Sequence, residues 1–220
     1  MADFLTKGNV AVAGAVNGSR DLITAPNLHR WVMEGKVFTA STGYENAGID
    51  GESDTKADTA CTAALISPSS QDVLVVPLLI KAFTHTEGGA VELRSVAITK
   101  PAAECATNLV ISGTAMPIIR NNNVLKSASP AAYAKYTCTA SALTESDYFL
   151  IDKQWASDNI ISAGTGAVYR AGTAYELDLR YTPYILCAGA ALMFWSNTAT
   201  TDTKVQPYLV WAELEEEDLY

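Results

Sequence analysis

The chain has 220 residues, of which 49% are hydrophobic and only 18% charged, and its net charge is −9. That length suits one large β domain with a full core, or two small ones. Its 15 Lys and Arg residues are scattered singly, without the clusters that phosphate contacts need, so direct nucleic-acid binding is not expected.

The charged share lies below the roughly 25% of an average globular protein. Much of the surface is therefore Ser, Thr, Asn and backbone, which repels neighbouring molecules less than a charged surface does. Met1 to Lys7 lacks a basic segment followed by an apolar one, so no signal peptide is expected. The longest apolar run, Val73 to Ile80, is too short to cross a bilayer and contains Pro77, so no membrane partner is expected either. Cys61, Cys105, Cys138 and Cys187 form no C-x-x-C pair. They read as small buried hydrophobes, with disulfide pairing left open.

Residues 1–60 read as an irregular N-terminal arm, and residues 61–220 as the β domain. Within the arm, a short helix is expected after Pro26, running toward Trp31, and a short strand from Val37. Tyr44 to Asp58 is polar and rich in turn residues. From Ala60 onward the strand signals come regularly. Ala60 to Ile66 is followed by Asp72 to Phe83, where Pro77 implies a bulge or a sheet edge. Gly88-Gly89 then leads to Ala90–Thr99, which reads as the second arm of a hairpin. Further strands are expected over Ala106–Ile111, Met116–Ile119, Ala131–Thr139, Asp147–Trp155, Gly166–Arg170 and Ala174–Tyr181. In the last of these, Tyr175, Leu177, Leu179 and Tyr181 alternate with Glu176, Asp178 and Arg180, the pattern of a half-buried strand. Strands spaced by roughly 8–12 residues indicate a sandwich or barrel. The expected fold is all-β: a jelly-roll-like β-sandwich of about eight strands behind an extended N-terminal arm.

Little in the chain can carry chemistry. His29 and His85 are far apart and belong to no H-x-H or H-x-x-x-H pattern, so no zinc or copper site is expected. There is no G-x-S-x-G elbow. Gly164-Thr-Gly166 and Gly14 to Gly18 lack the Lys of a phosphate cradle and read as turns. Asp50 to Asp58 resembles a calcium loop loosely but misses its ligand order, so a solvated loop is the better reading. No catalytic residue, metal or cofactor is expected.

Aromatic residues gather near the C-terminus. Tyr184, Phe194, Trp195, Tyr208 and Trp211 are the candidate interface residues, with core packing between the last two strands as the competing reading. Leu209 and Trp211 alternate with Tyr208 and Val210, so both faces of that strand are apolar and at least one should meet another sheet or another subunit.

The closing pattern has three parts: Pro183-Tyr-Ile-Leu, then Gly189 leading into Ala-Leu-Met-Phe-Trp195, and finally a Thr-rich loop before Pro207-Tyr-Leu-Val-Trp-Ala-Glu213. It resembles the final hairpin of jelly-roll structural proteins from tailed-phage virions, which serve as capsid decoration or cement or as tail components. The resemblance covers about a quarter of the chain. It implies a jelly roll, a virion location, a homo-oligomer (often a trimer) and contacts with other virion proteins, with the arm reaching onto a neighbour. It transfers no catalytic residue. The alternative is a carbohydrate- or receptor-binding β-sandwich module, with Trp195 and Trp211 as exposed stacking platforms.

Overall fold

The structure is a computed structural model that describes residues 25–42, 48–50, 58–70, 72–86, 92–122, 129–141, 143–156, 175–198, 204–215 and 218. The polar stretch around Asp54, the Gly-rich turns near Gly14 and Gly164, and the expected strand at Gly166–Arg170 lie outside the described residues.

The first described element is a helix, α1, over Ala25–Met33. Pro26 sits in its first turn, where a missing N–H costs nothing. Leu28, Trp31 and Val32 fall three and four apart and make one apolar stripe. Gly35, at φ +74°, ends the helix in a left-handed turn. Gly35 N–H donates to Val32 O at 3.0 Å and Lys36 N–H to Trp31 O at 2.8 Å, which satisfies the last carbonyls.

Twelve strands follow among the described residues. They are β1 (Val37–Ser41), β2 (Ile49–Asp50), β3 (Ala60–Ile66), β4 (Leu74–Thr86), β5 (Glu92–Thr99), β6 (Ile111–Ala115), β7 (Ile118–Arg120), β8 (Tyr133–Ala140), β9 (Tyr148–Ala156), β10 (Tyr175–Asp178), β11 (Ala191–Thr198) and β12 (Lys204–Leu214). Sheet A has the order β9-β5-β11-β3-β8-β6, and sheet B the order β10-β4-β12-β1-β7, with β2 also paired to β12. All pairs are antiparallel. From β3 to β5, and again from β9 to β12, the chain steps between the sheets at each connection. Strands from opposite ends of the sequence thus lie side by side, as in a jelly roll. The fold is the expected all-β sandwich, and ten of its strands begin at or after Ala60.

Two expected hairpins are not hairpins. β4 and β5 precede and follow Gly88-Gly89 in the sequence yet lie in different sheets, and so do β11 and β12. In both cases the strand pair faces across the core instead of bonding edge to edge. Apolar residues on both faces reward that placement, because each strand then buries one face against the opposite sheet.

The central core lies between the sheets. It includes Phe38, Leu65, Val75, Ile80, Val96, Leu192, Phe194, Leu209 and Trp211. Pro77 produces the expected bulge: the β12–β4 register slips between Val210 and Trp211, where Trp211 faces Pro77. On β12, Leu209 and Trp211 join the central core, while Ala212 and Leu214 pack with Trp31 of α1 and with Val210. The second apolar face of β12 is therefore covered by the chain's own helix. Part of the outer face of sheet A is covered as well, by Cys105, Leu109 and Leu143 from the connecting segments, while Tyr133 of β8 and Phe149 of β9 stay exposed.

Several boundaries differ from expectation: the strand expected over Ala106–Ile111 runs over Ile111–Ala115 instead, and the one expected over Met116–Ile119 over Ile118–Arg120. β1 is bonded to both β12 and β7, so Val37–Ser41 belongs to the sandwich and not to an arm. Residues 1–24 lie outside the described residues. The alternating run at Tyr175–Tyr181 leaves the strand after Asp178, whose carboxylate accepts bonds from Arg180 N–H (3.0 Å) and Arg180 Nε (2.9 Å). This side-chain-to-backbone bond bends the chain before the apolar alternation ends.

Candidate functional site

The structure divides the five candidate interface residues. Phe194, Trp195 and Trp211 are 0% exposed and lie inside the subunit, so they cannot contact a partner. Phe194 stacks obliquely on Tyr175 with ring centroids 5.5 Å apart, and Trp211 stacks on Phe38 at 5.8 Å. Both indole N–H groups are satisfied internally. Trp195 Nε1 donates to Ala60 O at 2.6 Å, and Trp211 Nε1 to Glu213 Oε1 at 3.0 Å. The stacking platform that a glycan site would need from Trp195 and Trp211 is therefore not on the surface. Tyr208 is half-buried on β12. Tyr184 is exposed, at 38%.

Tyr184 belongs to a feature that periodicity does not mark. Residues 181–185, Tyr-Thr-Pro-Tyr-Ile, are five consecutive exposed positions between β10 and β11. Tyr181 is 85% exposed and Ile185 43%. Both ends of the segment are fastened. Leu179 is buried and its N–H donates to Leu78 O at 3.0 Å. Asp178 and Arg180 form a bidentate pair that holds the Asp178 carboxyl below its ordinary range. At the far end Leu186 is buried and bridges Val75, with its N–H donating to Val75 O at 2.8 Å. Pro183 removes further backbone freedom in the middle. The two tyrosines and the isoleucine are thus displayed on a pre-ordered loop, so covering them would cost little ordering entropy.

The perturbed titratable groups are structural. Asp147 is buried and its carboxylate accepts bonds from Thr144 N–H (2.8 Å), Ala106 N–H (2.9 Å) and Thr144 Oγ1 (2.7 Å). These bonds, the Thr144 amide foremost, hold its carboxyl below the usual carboxylate range. Tyr175 on β10 donates its hydroxyl to Asp152 of β9 at 2.6 Å, which ties the two sheets together. Burial, reinforced by Asp152, pushes the Tyr175 phenol well upward, so it stays protonated. Burial also raises the Cys105 thiol. His29 is exposed on α1 and His85 falls in β4. Among the described residues no group of three His, Cys, Asp or Glu is placed to hold a metal. A small groove of about 110 Å³ runs between α1 and sheet B, lined by Leu28, Val32, Leu78, Val210, Asn121 and Arg180. That is well below the several hundred Å³ of a typical small-molecule site. No described helix is long and apolar enough to cross a membrane.

Neither a protein-family model nor a curated protein matches this chain.

Proposed function

We propose that this protein is a structural subunit of a virion, on the capsid or the tail, that assembles with copies of itself and with other virion proteins. The observation that carries the reading is the fastened loop Tyr181–Ile185, exposed along its length, which offers two tyrosines and an isoleucine to a partner. Tyrosine is enriched at the centres of protein interfaces, and a rigid display costs little entropy on binding. The low charged share of the chain, 18%, supports the same reading, because fewer charges have to be desolvated when copies pack together. So does the resemblance of the closing residues to jelly-roll proteins of tailed-phage virions. In this role the subunit needs no cofactor and makes no direct contact with nucleic acid or membrane. Its work is burial of surface.

The apolar faces of β11 and β12, filled by the subunit's own core, helix and connecting segments, are not the contact. The exposed loop is, with the N-terminal residues as a second element. The test is native mass by light scattering at micromolar concentration. A defined oligomer supports the reading. A monomer that binds no particle or copy of itself at any concentration tested contradicts it.

A further inference from the structure

We propose that Cys61 and Cys138 are a disulfide-forming pair that staples β3 to β8. They are direct cross-strand partners in the antiparallel ladder, flanked by Ala60↔Thr139 and Ala63↔Tyr136 in the same register. Directly opposed residues lie about 4.5–5.5 Å apart at Cα, inside the window of roughly 4.4–6.8 Å that a disulfide spans. Opposed residues also share a face, and both cysteines sit in the apolar cluster on the outer side of sheet A. The other two thiols are elsewhere. Cys105 Sγ lies 3.6 Å from Pro101 O and 3.8 Å from Lys100 O, and Cys187 is exposed.

Cys138 Sγ lies beside the neighbouring strand β6. A Cβ built on Gly113 of β6 would lie 3.2 Å from Cys138 Sγ, so the sulfur rests over that glycine. Rotation about χ1 turns it toward β3. The backbone beside it is already irregular: Thr137 has φ +48°, and the β6–β8 register slips between Ser112 and Thr114. β6 is the edge strand over β8, and its last four residues are exposed, so local opening of this edge admits an oxidant.

The oxidant is a small disulfide such as oxidised glutathione. The thiolate of one cysteine attacks it, forming a mixed disulfide and releasing one reduced thiol. The second cysteine loses its proton and attacks the mixed disulfide, forming the Cys61–Cys138 bond and releasing the second reduced thiol. The staple joins residues 77 positions apart, a span long enough to restrict the unfolded chain strongly. A protein made in a reducing cytoplasm would be stapled only on leaving it.

The test uses the full chain carrying Cys187→Ser, so that the exposed thiol cannot compete. It is equilibrated in oxidised or reduced glutathione, denatured and assayed for thiols, with non-reducing peptide mapping. In oxidised buffer two of the three remaining thiols should disappear into a Cys61–Cys138 cross-linked peptide. The melting temperature should rise by roughly 5–10 °C and fall back with reductant. Adding Cys61→Ser should abolish the cross-link. Retention of all three thiols, or a cross-link through Cys105, overturns the proposal. The peptide map decides it even if the Cys61→Ser variant fails to fold.

Discussion

Two aromatic regions near the C-terminus have similar composition and opposite fates. On β11 and β12, Phe194, Trp195 and Trp211 are fully buried with both indole donors satisfied internally. A few residues earlier, Tyr181 and Tyr184 stand in solvent on a loop whose ends are pinned. Apolar content alone therefore does not say where a partner binds. A long strand in a sandwich has an opposite sheet waiting for one face and, here, a helix or connecting segment for the other. In the five-residue loop with fastened ends, the described residues leave Tyr181 85%, Ile185 43% and Tyr184 38% exposed. On the proposed function the strand aromatics serve folding and the loop aromatics serve assembly, and several substitutions separate the two.

The largest expected effect is that of Trp211→Ala. It empties the contact with Phe38 at the centre of the core and should cost about 3–5 kcal/mol, read by denaturant unfolding. Glu213→Ala comes next. Glu213 accepts bonds from Ala131 N–H (2.8 Å), Ala132 N–H (2.9 Å) and Trp211 Nε1 (3.0 Å), so its loss strands three donors and should cost roughly 1–3 kcal/mol in the same measurement. Thr137→Gly should act in the opposite direction. A β-branched residue at φ +48° is strained, and glycine should relieve that for a gain of about 1 kcal/mol.

Asp147→Asn should change how stability depends on pH. The folded carboxyl is held below its unfolded value, so its contribution is complete above roughly pH 4–5 and is lost as pH falls through the folded value. The Asn variant should be less stable at neutral pH and should show a shallower acid limb in melting temperature against pH. An unchanged acid limb would mean that the Thr144 and Ala106 bonds to this carboxylate do not matter to folding.

Much of the fold was legible in the residues. The helix after Pro26, the strand at Val37, the Pro77 bulge and the strand at Ala60–Ile66 all follow from local signals. What pairs with what was not legible. Gly-Gly beside two strands reads as a hairpin, but β4 and β5 belong to different sheets, and only the long-range fit of both apolar faces decides that. The end of β10 at Asp178 was hidden because a side-chain bond to Arg180 overrides an alternation that continues through Leu179 and Tyr181. Of the candidate interface, Tyr184 alone is well exposed. Its surroundings carry no period, and their signal, a Pro between two tyrosines just after an acidic–basic pair, lies in how the ends are fastened.

The most direct test pairs two variants, Trp211→Ala and the triple change Tyr181→Ser, Tyr184→Ser, Ile185→Ser, each measured for native mass and for melting temperature against the wild type. The triple variant should melt within a few degrees of wild type but lose its oligomer, while Trp211→Ala should melt far lower. An oligomer that survives the triple change intact would contradict the assignment of assembly to this loop.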